Sequence, residues 1–214
     1  MRAPGQPVRY FFALRPDTAA AGELAALAAQ LAHRHGGRAL VAEDIHLTLA
    51  FVGQRARDDQ ERLTALLEGL PAQPGIGGAA APEGTGPIRL ERLGTFDHGL
   101  LWIGPPAAGR HGQDCNGPAG PMASELRTRL RTAGIGFDER PLVLHATLVR
   151  GAHEVPADPT DCAGGRKIVV TRAGVMVEPA IIARAWAPAL GFSGDPLPAG
   201  RRYRWSHPMP QCLS

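Results

Sequence analysis

The sequence predicts an α+β fold: two pseudo-symmetric lobes, each an antiparallel-type sheet with helices on its outer face, meeting at a central crevice. Three observations carry this. Strand-like apolar runs alternate with leucine-striped helical segments along the chain, and sheets with helices packed on them make an α+β or α/β mix. At 214 residues the chain is one large domain or two small ones. A four-residue pattern, His-x-Thr-Leu, occurs once in each half, at 46–49 and 145–148. Residues 1–214 therefore read as a single domain of two related lobes with one motif apiece.

The elements follow in order. Val8 to Leu14 is an apolar, aromatic run ending at Pro16 and reads as a buried strand. Asp17 to His35 reads as a helix, with Leu24, Leu27 and Leu31 on one face, Asp17 or Thr18 as cap and Gly36-Gly37 as stop. Leu40 to Val52 reads as a strand or strand pair broken near Glu43-Asp44. A second helix is expected from Asp58 to Leu70, with Asp58 and Glu61 spaced as a capping box. Pro71 to Pro87, rich in Gly, Ala and Pro, reads as a loop. Ile88 to Phe96 and Leu100 to Ile103 read as a hairpin turned at Asp97-His98-Gly99. After a second loop, Gly104 to Pro121, a helix carries Met122, Leu126 and Leu130 and stops at Gly134. Leu142 to Val149 and Lys167 to Val177 read as strands, Ala183 to Gly200 as a long loop, and Arg201 to His207 as an edge strand.

Composition narrows the function classes. No apolar stretch is long enough to span a bilayer, and the start lacks the pattern of a secretory signal, so the expected compartment is the cytoplasm. Cys115, Cys162 and Cys212 are scattered and odd in number, which supports neither a zinc ribbon nor a disulfide framework. No GxGxxG or GxxxxGK[ST] follows a strand, which argues against a nucleotide cofactor or an NTPase. The net charge is +3, and Lys167 is the only lysine. Arginine forks suit phosphate, although the abundance of Ala, Gly, Pro and Arg is also what a GC-rich genome gives.

The repeated motif points to chemistry. Residues two apart in a strand share a face, so His46 and Thr48 point one way and His145 and Thr147 likewise. Leu47, Leu49 and Leu148 point into the core. If the two strands adjoin, two imidazoles and two hydroxyls converge. One neutral imidazole can take a proton from water while a protonated one gives a proton to a leaving oxygen. The hydroxyls can donate to phosphate oxygens that gain charge. Zinc would need further ligands. His33, His35, His98, His111, His153 and His207 lack metal-site spacing to either motif, so no metal and no cofactor is expected.

These residues resemble the two-histidine phosphoesterase superfamily, and within it the bacterial and archaeal RNA 2′,3′-cyclic phosphodiesterases, also called the 2′-5′ RNA ligase family. Tyr10 to Leu14 is similar to that family's first strand, Val41 to Gly53 to its most specific signature, Leu101-Trp102-Ile103-Gly104 to its middle strand, and Arg140-Pro141 to its approach to the second motif. Leu142-Val143-Leu144 departs from the Phe-His-Pro that the family usually has there. The motifs extend to His-x-Thr-x-x-Phe at Phe51 and His-x-Thr-x-x-Arg at Arg150. The resemblance implies that His46 is the proton donor to the ribose O3′ and His145 the proton acceptor from water. It implies that Arg150 grips the phosphate, with Thr48 and Thr147, and that Phe51 stacks on the terminal base. A five-residue offset puts Phe51 and Arg150 on the wrong face of a straight strand, so each strand needs a bend or bulge.

The implied activity is hydrolysis of RNA 2′,3′-cyclic phosphate ends to 2′-phosphate ends. The partner is such an RNA, with tRNA fragments and cyclic nucleotides among the candidates, and the chain is expected to act as a monomer. Two rivals remain. The same histidines could join or cleave 2′-5′ linked RNA reversibly, or the chain could bind RNA ends without turnover.

Overall fold

The computed structural model describes residues 8–70, 87–106, 119–153, 160–162, 165–171, 174–193, 197 and 199–211. The loop read at Pro71 to Pro87 lies, Pro87 apart, outside the described residues, as do residues 107–118 of the second loop, with His111 and Cys115, and Cys212.

The first half opens as expected. β1 (Val8–Pro16) leads into α1 (Thr18–His35), whose leucines Leu24, Leu27 and Leu31 are buried, each worth roughly 2 kcal/mol. β2 (Arg38–Ala39) and a short 3-10 turn (Ala42–Asp44) precede β3 (Leu47–Arg55), so the break expected near Glu43-Asp44 is present. α2 is shorter than expected, Asp59–Ala65, and Asp58 makes no capping bond. Asp58 is itself helical in φ and ψ, because backbone bonds from Asp59 and Gln60 to Ala56 and Arg57 start the turn earlier. Residues 66–70 continue in tight i→i−3 turns that bury Leu67 and Leu70.

In the second half β4 (Ile88–Phe96) and β5 (Leu100–Gly104) form the expected hairpin, with His98 and Gly99 left-handed in its turn. α3 (Ala119–Thr132) buries Met122, Leu126 and Leu130 and ends before Gly134 at φ 65°. β6 (Ala146–Arg150) starts later than Leu142. β7 (Thr160–Cys162), β8 (Arg166–Thr171) and β9 (Gly174–Ala183) show that the strand read at Lys167 to Val177 is a hairpin. The stretch read as a loop, Ala183 to Gly200, holds β10 (Trp186–Ser193), and β11 (Arg204–Trp205) is the expected edge strand.

The strands make one antiparallel sheet in the order β11-β10-β1-β3-β6-β5-β4-β9-β8-β7, with β2 also on β6. This corrects the expectation of two sheets. The halves are joined because Leu47 of β3 pairs with Ala146 of β6. The helices cross over that junction: α1, which follows β1, packs on β6 and β9, and α3 packs on β3.

Asp17 fastens this crossover. Its buried carboxylate accepts the Ala20 amide at 2.9 Å, capping α1, and the amides of Arg184 and Ala185 at 2.9 and 3.2 Å, between β9 and β10. Asp17→Ala removes the acceptor of one buried and two part-buried amide donors. It is expected to cost roughly 2–4 kcal/mol in urea unfolding, with Asp17→Asn recovering part of the loss.

Candidate active site

Each histidine stands one residue ahead of its strand, His46 before β3 and His145 before β6. Each is fixed in the same way. The His46 Nδ1–H donates to the Asp44 carbonyl at 2.6 Å, and the His145 Nδ1–H donates to the Val143 carbonyl at 2.7 Å. A carbonyl only accepts, so Nδ1 carries a proton in both rings and Nε2 is left to titrate. The departure at Leu142-Val143-Leu144 has no consequence for this bond, since any residue supplies a carbonyl.

The Leu47–Ala146 pair sets the motifs against each other. Continuing that antiparallel register by one residue each way puts His46 across from Thr147 and Thr48 across from His145. Each imidazole therefore has the other motif's hydroxyl for a neighbour.

The expected irregularity is present in both strands. Phe12 lies opposite Ala50 and Ala13 opposite Thr48, so Leu49 is an extra residue in β3. Leu101 lies opposite Val149 and Trp102 opposite Thr147, so Leu148 is an extra residue in β6. Both bulges fall three residues after the histidine. Leu49-Ala50 and Leu148-Val149 are consecutive buried pairs, and the next residues, Phe51 and Arg150, return to the face of the histidines.

All six residues singled out from the sequence, His46, Thr48, Phe51, His145, Thr147 and Arg150, line one cleft of about 520 Å³. Arg9, Arg38, Arg201 and Arg202 stand around it. Arg150 donates to the Tyr203 hydroxyl at 3.2 Å, while its buried Nε has no partner among the described residues.

Sequence reasoning missed the aromatic shell. Phe11, Tyr203 and Trp205 surround His46 at ring-centroid distances of 4.8, 5.3 and 5.2 Å, and Phe96 meets His145 edge-on at 4.8 Å. Gly191 makes room for this, since a Cβ there would lie 2.4 Å from the Phe11 ring and 2.8 Å from Trp205. It also missed Asp44. That fully buried carboxylate takes the Arg201 Nε–H at 3.0 Å and the Arg202 amide at 2.5 Å, which fixes the turn that presents His46. Arg15 ties the same layer together, donating to the His207 and Glu43 carbonyls beside Trp205. The tyrosine and tryptophan were visible in the Arg201 to His207 strand, but nothing local tied that strand to His46.

Burial pushes the His46 pKa down to about 4; the bond to the Asp44 carbonyl opposes the shift, and His145, Arg150 and Arg15 add to it. Burial also lowers His145, with Arg150 acting the same way against its bond to Val143. Burial, then Arg201, brings Arg15 down to about 10. Among the described residues no group of three or more His, Cys, Asp or Glu is placed to hold a metal ion, and no helix is long and apolar enough to cross a membrane.

Residues 14–102 match the family model of LigT-like phosphoesterases. The resemblance to the two-histidine phosphoesterases read from the sequence is borne out by this match over those residues, and solved structures agree with the fold along most of the chain. E. coli LigT complexed with 3′-AMP is 23% identical with a TM-score of 0.59, covering 96% of this chain and 97% of that one. A structure described as a phosphoesterase is 24% identical with a TM-score of 0.59, covering 96% and 100%. The Thermus thermophilus protein TT0787 is 17% identical with a TM-score of 0.53, covering 94% and 96%. No curated protein matches the chain.

The lowered His46 pKa carries a stability consequence. As pH falls below 6.5 the unfolded chain takes up this proton first, so the stabilisation is full above 6.5 and is lost towards pH 4. His46→Gln is expected to flatten that loss by about 3 kcal/mol, measured by denaturant unfolding between pH 7.5 and 4. Parallel curves for the two proteins would contradict it.

Proposed function

We propose that the chain hydrolyses RNA 2′,3′-cyclic phosphate ends to 2′-phosphate ends by acid–base catalysis with two histidines and no metal. One observation carries this reading. Two segments about a hundred residues apart present the same imidazole, hydroxyl, ring bond and bulge to one arginine-lined cleft. A duplicated device of this kind suits a reaction that needs one proton removed and one supplied.

In the proposed step the phosphorus sits between the rings. His145 Nε2 takes a proton from water as the water oxygen bonds to phosphorus. The P–O3′ bond breaks, and O3′ receives a proton from His46 Nε2, leaving a free 3′-hydroxyl and a 2′-phosphate. Thr48 and Thr147 donate to the non-bridging oxygens, and Arg150 offsets their charge. Phe51, exposed at the cleft, offers its face to the terminal base. Burial leaves both rings neutral at pH 7 in the free chain, and the phosphate's negative charge favours the return of a proton to His46.

On this reading the partner is an RNA end, tRNA fragments and cyclic nucleotides included, and the chain works as a cytoplasmic monomer of two lobes, one motif to each. E. coli LigT complexed with 3′-AMP, NADP+ and ATP supports a cleft for nucleotides.

Incubation with an RNA bearing a 2′,3′-cyclic phosphate, in EDTA, is expected to give 2′-phosphate ends. A joined strand would indicate ligation instead, and bound but unchanged RNA a binding module. His145→Ala is expected to lower turnover by roughly 10²–10⁴ while holding product affinity within a fewfold. Because both histidines are lowered from 6.5, kcat/KM is expected to be bell-shaped with its maximum on the acid side of pH 6.5. A flat profile from pH 5 to 9 would sink the mechanism.

A further inference from the structure

Beside the cleft that holds both histidines lies a second, of about 540 Å³, and the two share Thr48, Phe51 and His145. Their chemistry differs. The first is ringed by arginines. The second is walled by Leu49, Pro141, Leu142, Val143 and the rings of Phe51 and Phe96. Its two guanidiniums are already engaged. Arg140 holds Asp138 at 2.9 Å, and Arg127 donates to the Arg140 and Leu49 carbonyls at 3.0 and 3.4 Å. Asp97 and Asp138 also line it, so its two guanidiniums are matched by two carboxylates and leave no surplus of positive charge for a phosphate. What the cleft offers a ligand is flat apolar surface.

That surface is concentrated here. Among the described residues five large apolar side chains are exposed, and three of them, Phe51, Phe96 and Val143, line this cleft. Phe51 and Phe96 are each 40% exposed, which costs apolar hydration unless something covers them. Phe96 is also propped in place. It ends β4 at the left-handed His98-Gly99 turn and stacks on Trp102 at 5.3 Å and 30°, while the Arg92 guanidinium lies 4.7 Å from the Trp102 ring. Gly94 leaves the space that Trp102 fills, since a Cβ there would lie 2.2 Å from Trp102. With one face on Trp102 and its edge contact on His145, the ring keeps its remaining surface for the cleft.

We propose that the second cleft is a nucleobase subsite, in which Phe96 stacks with the base of the nucleotide one removed from the reacting phosphate. The inference rests on the reading that the chain acts on RNA ends, and it adds that the site is built for a strand longer than one nucleotide. The two clefts meet at His145, so a strand whose terminal phosphate lies at the histidines has its neighbouring base within reach of Phe96. Stacking accepts any base, because each has a flat face, and the apolar walls exclude the water that would compete for it.

The test compares adenosine 2′,3′-cyclic phosphate with the ApA dinucleotide ending in the same group. The quantity read is the dinucleotide-to-mononucleotide ratio of kcat/KM. Phe96→Leu keeps bulk against Trp102 and His145 but removes the flat face, and is expected to lower the ratio about tenfold. Phe96→Tyr is expected to retain it. The same ratio is read from calorimetric affinities of the 2′-phosphate products, using His145→Ala with and without Phe96→Leu. A ratio unchanged by Phe96→Leu, or equal losses on both ligands, would overturn the subsite and leave Phe96 as a support for His145. Absence of turnover of either substrate by the unaltered chain would count against the RNA-end hydrolase reading, while the affinity ratio would still decide the subsite.

Discussion

Leu47 faces Ala146 across the junction of β3 and β6, and each directly follows a histidine. One backbone pairing therefore fixes the relation between the two motifs. Slipping it by one residue would turn every alternate side chain to the other face of the sheet. The threonines and histidines would then exchange places with Leu47 and Leu148, which are wholly buried. The apolar core thus holds the register, and the register holds the site. The crossing of α1 onto β6 and of α3 onto β3 adds to this, because neither half can bury its helix without the other.

The paired bulges show how a short motif outgrows strand periodicity. Two side chains spaced two apart can share a face with no special geometry. A third, five residues from the first, cannot. The extra residues at Leu49 and Leu148 reset the alternation, and both are leucines whose burial anchors the distortion. The result is a polar, cationic floor set directly on an apolar core, and the same burial that shapes it lowers both histidine pKa values.

Much of this was legible in the sequence because it is local. The Asp17 cap, the leucine stripe of α1, the β4–β5 hairpin and both His-x-Thr segments are written in neighbouring residues. What escaped depends on distant pairing. β10 contains Pro188 and Gly191, which read as loop residues, yet Pro188 lies opposite Leu14 and Gly191 opposite Phe11 along the full length of β1. The 166–183 hairpin has no Asn-Gly or Pro-Gly pair in the sequence between its strands. The single sheet was missed because β3 and β6 meet at one Cα pair. The aromatic shell draws on residues 11, 96, 102, 203 and 205, and no window of sequence brings those together.

The wall around His46 is made late. Tyr203, Trp205, the Arg201 and Arg202 contacts to Asp44 and the Arg15 bond to the His207 carbonyl all come from residues beyond 200. Synthesis runs from the N-terminus, so a nascent chain that has released everything through β10 already owns both imidazoles. In that chain His46 lacks most of the rings that keep water from it, and the Asp44 carboxylate lacks its two donors. The order of translation thereby withholds the finished cleft until the final strand docks.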